Sequence, residues 1–125
     1  MVDLTLPAAP EAPSRARQSL WELHSVLDPR VFQDLRLLVS ELVTNSLRHA
    51  GLSARDVIRL RVDLTEAKVR VEVSDEGPGF SLREETPSLY DQSGWGLFLV
   101  KQMADRWGVV RNRHTCVWFE LSRAG

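Results

Sequence analysis

Two neighbouring stretches of alternating apolar and polar residues constrain the fold of this chain more than any other feature of its sequence. The apolar positions of the two stretches are Ile58, Leu60, Val62, Leu64, Val69, Val71 and Val73. A period of two places these side chains on one face of each strand and leaves the other face to polar residues. The four-residue link between them, 65–68, predicts an antiparallel hairpin. Its apolar face must be covered by another layer of the protein.

Helical spacing on the N-terminal side of this hairpin predicts part of that layer. A weakly alternating segment, residues 2–6, is predicted as a short edge strand and is followed by a proline-rich link. The first helix is predicted to start after Ser14 as its N-cap and to end at Asp28-Pro29. Its inward residues are Ala16, Leu20, Leu23 and Leu27. A second helix is predicted for residues 31–50, and its inner stripe consists of Leu35, Leu38, Leu42 and Ser46.

The C-terminal part of the chain predicts one more helix and one more hairpin. The helix is expected to start near Gly96 and to end before Gly108, with Leu97, Val100, Ala104 and Trp107 facing inward. The last hairpin is predicted for residues 109–121. The predicted fold class is therefore α+β, a two-layer sandwich with helices on one face of a mainly antiparallel mixed sheet.

The length, net charge and cysteine content of the chain limit the classes of protein to which it can belong. A chain of 125 residues predicts a single domain, with residues 1–13 as N-terminal strand and linker and residues 14–125 as the core. The net charge of −1 gives no basic footprint for nucleic acid. The single Cys116 lies in an apolar run and is expected to be a buried, inert thiol in a reducing compartment. With no signal peptide or membrane span in the sequence, a cytoplasmic protein is predicted.

The segment SELVTNSLRHA places Glu41, Asn45 and His49 four residues apart on the second predicted helix. At 3.6 residues per turn these three form one row along the helix. That row borders the apolar stripe, so its polar groups are expected to line a groove beside the core. A row of solvated side chains on a helix flank is the alternative interpretation.

Asp75 is the second polar group in an apolar setting. Alternation along its strand puts it on the same side as Val73, where a carboxylate is costly unless something hydrogen-bonds to it. Gly77 and Gly79 follow immediately and permit close approach of a ligand to the backbone. A strand-ending turn opened by an aspartate is the alternative.

The third feature is SGWGLFLV, where Gly94 and Gly96 stand at the start of a helix. Free backbone N–H groups at a helix N-terminus form a ready anion site. Neither the dinucleotide fingerprint nor the Walker pattern matches this segment. Together, a buried acid for an adenine amino group, glycine turns, a phosphate-binding helix end and an oxygen-rich helix row predict a nucleotide site that suits Mg²⁺.

The boxes ELVTN, DEGPG and GWG, in that order, resemble the GHKL (Bergerat-fold) ATP-binding superfamily over nearly the whole chain. Within it, the NSLRHA continuation and the ending HTCVWFEL look most like the anti-sigma-factor serine/threonine kinases, with a histidine-kinase-like ATPase domain. The resemblance implies ATP or ADP and Mg²⁺ as cofactors. It also implies a sigma factor and a STAS-type anti-anti-sigma protein as partners, a homodimer, and no direct contact with nucleic acid or membrane.

The resemblance also implies a role for each matching residue. Glu41 would be the general base, Asn45 the Mg²⁺ ligand and Asp75 the acceptor of the adenine amino group. The remaining residues expected around the nucleotide are His49, Gly77, Gly79, Gly94, Trp95, Gly96, Leu97 and Thr115. Thr115 would support Asp75 from the last strands.

The chain departs from the family pattern at three places. His114 precedes Thr115 where many relatives have glycine, and Trp95 is bulky for its position between two glycines. The candidate ATP lid, residues 81–93, carries only one basic residue, Arg83, although phosphoryl transfer depends on cations to offset charge.

Two functions therefore stay open at the level of sequence. The first is a kinase that phosphorylates the STAS-type partner and sequesters a sigma factor. The second is a nucleotide-dependent binding module with little or no transfer, which the thin lid favours. Glu41 favours the kinase, because a pure binder has little use for a carboxylate beside the γ-phosphate. A catalytic domain detached from a histidine kinase ranks below both, because it would need an acceptor in another chain.

Overall fold

The computed structural model describes residues 1–49, 56–75, 94–111 and 114–123, and the side chains of His49 and of residues 94–96 lie outside that description. Five strands form the sheet, namely β1 (Val2–Pro7), β2 (Val57–Leu64), β3 (Lys68–Asp75), β4 (Arg106–Arg111) and β5 (Thr115–Ser122). The helices are α1 (Ala12–Ser19), a 3₁₀ helix (Leu20–Leu23), α2 (Pro29–His49) and α3 (Gly94–Met103). The predicted α+β sandwich is confirmed.

The strand order is β1-β2-β3-β5-β4, and every pairing among these strands is antiparallel. The prediction of a mainly antiparallel sheet is confirmed, and the described strands contain no parallel pair of the kind that a mixed sheet would have. The predicted hairpin is β2–β3, in which Leu60 pairs with Val73 and Val62 with Val71. Residues 2–6 were expected to form an edge strand, and β1 does so by pairing with β2.

The helices cover one face of the sheet. The apolar residues that alternation assigned to the inner face of β2 and β3 lie in the same core as α2. They are almost completely buried, except for the partly buried Leu64 at the end of β2, and this confirms the assigned face. Leu35, Leu38 and Leu42 of α2 lie in the same core, whereas Ser46 is half-buried. Burying these aliphatic side chains removes about 25 cal/mol of unfavourable hydration for each Å² of apolar surface. Helix α2 is thus the main support on which the candidate site rests.

The first two helices begin and end at residues other than those predicted, and proline and aspartate residues explain where they begin. Helix α1 starts at Ala12 with Glu11 at its N-cap and a proline in its first turn, so Ser14 is not the cap. A proline in the first turn is favourable because its missing N–H has no intrahelical partner there. Helix α1 ends at Ser19 and continues as the 3₁₀ helix, so the single predicted helix is divided. The side chain of Asp28 accepts from the backbone N–H of Arg30 and starts α2 at Pro29.

The third helix is shorter than predicted at its C-terminal end. Helix α3 ends at Met103, and Trp107 lies on β4, where it is 36% exposed instead of packed inward. The β-branched pair Val109 and Val110 explains the change, because such residues fit a strand and Trp107 pairs there with Phe119. Val100 of α3 is fully buried as expected.

The outer face of the sheet is lined by charged residues and one aromatic. The indole of Trp118 lies over Gly108, and a Cβ on that glycine would be 2.6 Å from the Trp118 Nε1. The Arg70 guanidinium stacks 4.3 Å from the indole centroid and donates a 3.1 Å hydrogen bond to Glu120. Cys116, expected to be buried, is only half-buried on this face. No helix in the described part of the chain is long and apolar enough to span a membrane.

Candidate functional site

Asp75 is one of two charged residues buried in the described part of the chain, and it is only 4% exposed. It ends β3 and pairs with Ile58 on the helix-covered face of the sheet, as strand alternation predicted. A carboxylate in this position loses hydration that it must recover through hydrogen bonds.

Thr115, the first residue of β5, lies beside Asp75. Ser74 pairs with Cys116, so the next position along the two antiparallel strands brings Asp75 and Thr115 together. The backbone N–H of Thr115 donates a hydrogen bond to the Asp75 carboxylate. The Asp75 Oδ1 and the Thr115 Oγ1 are both buried, and neither has a hydrogen-bond partner.

Those two oxygens indicate which hydrogen bonds a ligand at this position would supply. An unpartnered buried polar atom costs about 1–3 kcal/mol, so two of them on neighbouring residues of adjacent strands call for a ligand or water that supplies hydrogen bonds. Oδ1 is an acceptor only when the carboxylate is ionised, whereas a threonine hydroxyl both donates and accepts. The pair therefore suits a group with an N–H donor beside a ring-nitrogen acceptor, which is the edge that an adenine presents.

The ionisation of Asp75 is set by opposing causes. Burial raises the pKa of the Asp75 carboxyl above its ordinary value, while the Thr115 N–H and the positive charge of His114 act to lower it. Burial is the largest of the three effects. A ligand that donates a hydrogen bond to Oδ1 stabilises the ionised form and so offsets the cost of burial.

Glu41 and Asn45 lie one turn apart on α2, and both are half-buried. Leu38, Leu42 and Val43 on the same helix are buried, so the polar pair borders the core as helical geometry predicted. Ser40, the residue before Glu41, accepts a 2.6 Å hydrogen bond from the guanidinium of Arg17 on α1. This bond fixes α1 against the part of α2 that carries Glu41.

The contact of Arg17 with Ser40 could not be predicted from the sequence, because the two residues are 23 positions apart and belong to different helices. The influence of His114 on Asp75 could have been found, since His114 precedes Thr115 in the last predicted hairpin. The structure thus adds two features to the site that the motifs indicated, namely the Arg17–Ser40 hydrogen bond and the charge of His114 near Asp75.

Helix α3 begins at Gly94, so Gly94, Trp95 and Gly96 lie within its first turn and not ahead of it. The backbone N–H groups of a first turn have no intrahelical acceptor, and the helix dipole favours an anion there. Leu97 is half-buried. The segment therefore keeps the free backbone N–H groups that the sequence predicted for it, although the helix begins two residues earlier than expected.

Several predicted site residues fall outside the described residues. Gly77, Gly79 and the candidate lid, 81–93, are among them, and so is the side chain of His49, which is the last residue of α2. Within the described ranges, no group of three His, Cys, Asp or Glu side chains could hold a metal ion. Asn45 is an oxygen donor that suits Mg²⁺, which takes few protein ligands when phosphate oxygens and waters complete its shell.

Comparisons with known proteins identify the family and the fold of this chain. A model of the family described as the histidine kinase-like ATPase domain matches residues 6–121. The chain is 35% identical over 118 residues to Serine-protein kinase RsbW of Listeria monocytogenes serovar 1/2a, covering 83% of this chain and 75% of that protein. It is 26% identical over 119 residues to Serine-protein kinase RsbW of Staphylococcus aureus, with the same coverage.

Solved structures show the same fold. The blue-light activated histidine kinase of Erythrobacter litoralis EL346 superposes with a TM-score of 0.62 at 26% identity, over 78% of this chain. This chain spans only 32% of that kinase. The catalytic domain of histidine kinase ThkA superposes with a TM-score of 0.58 at 16% identity, over 98% of both chains. The family match over residues 6–121, joined to this Bergerat fold, establishes that the chain belongs to the histidine kinase-like ATPase domain (GHKL) family.

Proposed function

We propose that this protein is an ATP- and Mg²⁺-dependent serine/threonine kinase that regulates a sigma factor from the cytoplasm. Its substrate would be a hydroxyl of a STAS-type anti-anti-sigma protein, and as a homodimer it would also sequester the sigma factor. The observation that carries ATP binding is the buried Asp75, whose Oδ1 lacks a partner beside the equally unpartnered Thr115 Oγ1. Relatives named as serine-protein kinases support the choice of acceptor.

The proposed reaction assigns one task to each wall of the site. Asp75 accepts a hydrogen bond from the adenine amino group. Thr115 supports Asp75 through its backbone N–H, and its hydroxyl contacts the base. The N–H groups of the first turn of α3 bind phosphate oxygens. Asn45 would hold Mg²⁺, which supplies charge neutralisation on the phosphates when bound.

Glu41 is the residue that makes transfer possible in this scheme. It accepts the proton of the partner's hydroxyl as that oxygen bonds to the γ-phosphorus, and the bond from phosphorus to the departing ADP oxygen breaks. Helical geometry keeps Glu41 one turn from Asn45 and therefore on the metal side of the nucleotide. The Arg17–Ser40 hydrogen bond holds this turn of α2 in place.

The second candidate function is a nucleotide-dependent binding module with little or no transfer. The sequence of the candidate lid favours it, because Arg83 is the one basic residue within positions 81–93. Such a module needs Asp75, but it has no use for the carboxylate of Glu41.

Transfer of radiolabelled phosphate from ATP to a purified STAS-type protein of the same organism separates the two functions. The kinase predicts labelling of a serine or threonine by the wild-type chain and loss of at least about a hundredfold in rate for Glu41→Gln. Glu66→Gln, in the exposed turn between β2 and β3, serves as the matched control and should leave the rate unchanged. Nucleotide-dependent retention of the STAS-type protein without any label would establish the binding module instead.

A further inference from the structure

His114 is an exposed residue that adjoins the buried Asp75–Thr115 pair and takes no part in the proposed nucleotide contacts. Its backbone leads directly into Thr115, which opens β5 and donates a hydrogen bond to the Asp75 carboxylate. Because Ser74 pairs with Cys116, the antiparallel register brings Asp75 level with Thr115. His114 therefore lies at the end of the sheet where the two unpartnered oxygens lie.

The arginines of the neighbouring strands lie on the other face of the sheet. Alternation places Arg59, Arg61 and Arg70 on the outer face, opposite to the face that buries the aspartate. Each of the three is ion-paired there with a carboxylate, at nitrogen–oxygen distances of 3.0, 3.7 and 3.2 Å. Among the described residues, His114 is the cation whose charge acts on the Asp75 carboxylate.

The charge next to Asp75 is important because this carboxyl is a pure hydrogen-bond acceptor only when it is ionised. Burial raises the pKa of Asp75, so acidification protonates it at a higher pH than it protonates an exposed aspartate. A histidine gains its positive charge during the same acidification, because an imidazole ordinarily titrates between about pH 5 and pH 8. A cation therefore forms at His114 as the carboxylate begins to lose its own charge.

We propose that His114 is a positioning residue for the nucleotide, whose imidazolium keeps the Asp75 carboxylate ionised and able to accept the adenine amino group when the surroundings become acidic. This role rests on the proposed binding of adenine by Asp75. A positive charge near the carboxylate favours its ionised form, so the acidic limit of nucleotide binding moves to lower pH. The glycine that many members of the family have at this position carries no such charge.

Other charged or titratable groups belong to β5 and to the parts of α2, β3 and β4 that come before or after it in the packing. They are Glu41 and Arg48 in the C-terminal half of α2, Glu72 on β3, Arg111 on β4 and Cys116 on β5. Glu76, Arg113 and the side chain of His49 lie outside the described residues. Burial raises the pKa of the Cys116 thiol, which therefore stays neutral near pH 7. Because all of these groups are the same in a His114 variant and in the wild type, the difference between the two proteins measures His114 alone.

NMR of the side-chain carboxyl carbons tests the effect of His114 on Asp75 in the full chain without nucleotide. The signal that is missing from Asp75→Asn identifies Asp75, and a pH titration follows its ionisation. Asp75 should become protonated at a higher pH in His114→Gln than in the wild type, whereas His114→Lys, which keeps a cation, should not show this change. His24→Gln removes an exposed histidine that follows the 3₁₀ helix, and it is the matched control.

Calorimetry with ADP tests the effect on nucleotide binding. At about pH 8, where an ordinary imidazole is neutral, His114→Gln should bind ADP like the wild type. At about pH 5.5 the same variant should bind ADP about threefold more weakly, because the cation near Asp75 is missing. His114→Lys and His24→Gln should bind like the wild type at about pH 5.5, and urea unfolding at each pH shows whether the variants are folded.

Three results would overturn this role of His114. The first is equal ionisation of Asp75 in His114→Gln and in the wild type. The second is a loss of ADP affinity that is the same at both pH values, which would indicate a structural role. The third is a loss at about pH 5.5 without a change in the ionisation of Asp75, because His114 would then act on the phosphates directly. Normal ADP binding by Asp75→Asn would refute the adenine assignment itself, on which the NMR titration does not depend, and the role of His114 would be refuted with it.

Discussion

The backbone N–H of Thr115 donates to the carboxylate of Asp75 across two neighbouring strands, and this contact leaves one buried oxygen on each side chain without a partner. The pairing of Val73 with Val117 and of Ser74 with Cys116 holds the two strands in register and keeps Asp75 beside Thr115. The protein therefore keeps two unsatisfied polar atoms in place, which is a cost that ligand binding removes.

Thr115→Val is expected to weaken ATP binding by about tenfold, because it removes the hydroxyl that we propose contacts the base while it retains the shape of the side chain. Its free energy of unfolding should stay equal to the wild-type value or rise, since the lost hydroxyl has no partner in the structure. Fluorescence titration with an ATP analogue and urea unfolding measure the two quantities. Thr115→Ser keeps the hydroxyl and should retain most of the affinity; equal losses in both variants would remove the hydroxyl from the site.

Asp75 should make stability depend on pH in a defined direction. Its pKa is raised by burial, so the protonated form of the native state is favoured at low pH and this contribution is lost as pH rises through the raised pKa. Asp75→Asn removes the buried charge. The difference in free energy of unfolding between Asp75→Asn and the wild type should therefore grow in favour of the variant from about pH 4 to about pH 7.

Urea titrations of both proteins at a series of pH values measure that difference. Asp63→Asn makes the same change on the outer face of the sheet, where Asp63 lies 3.7 Å from Arg61, and it should not show the same trend. A difference that shrinks as pH rises would contradict the assignment of burial as the dominant cause.

Asn45→Ala should weaken ATP binding by about tenfold or more when Mg²⁺ is present and have little effect when the metal is chelated. The reason is that the amide oxygen is assigned to the metal and not to the base. Calorimetry with and without a chelator measures the ATP affinity of the variant under the two conditions. Gln33→Ala, which removes an exposed amide from the same helix, is the control; an equal loss under both conditions for Asn45→Ala would move its role away from the metal.

Gly108→Ala is expected to destabilise the fold by about 1–3 kcal/mol, because the added Cβ would meet the Trp118 indole at 2.6–2.9 Å. Thermal and urea unfolding measure the effect. The double variant with Trp118→Leu, which removes the indole, should recover much of the loss attributable to the clash. A Gly108→Ala chain as stable as the wild type would show that the indole moves aside at little cost.

The sequence predicted those parts of the fold and site that depend on local patterns. Alternation in β2 and β3 placed Asp75 on the core side, and the spacing of Glu41 and Asn45 placed both beside the core. Trp107 was assigned to the wrong element because an apolar residue that continues a helical period looks the same at the start of a strand. The end of α3 was decided by strand pairing with β5, which is a long-range interaction.

Two other contacts could not be predicted from the sequence. The Arg17–Ser40 bond depends on how α1 crosses α2, and the stack of Trp21 on His24 depends on the 3₁₀ turn that interrupts the first predicted helix. Neither geometry is encoded in a periodic pattern.

ATP affinity of Asp75→Asn, measured by calorimetry beside the wild type and Asp63→Asn, tests the central claim most directly. The account predicts that Asp75→Asn loses at least about a hundredfold in affinity while its fold is as stable as the wild type or more stable, and that Asp63→Asn binds normally. Unchanged affinity in a folded Asp75→Asn chain would contradict the assignment of this carboxylate to the nucleotide.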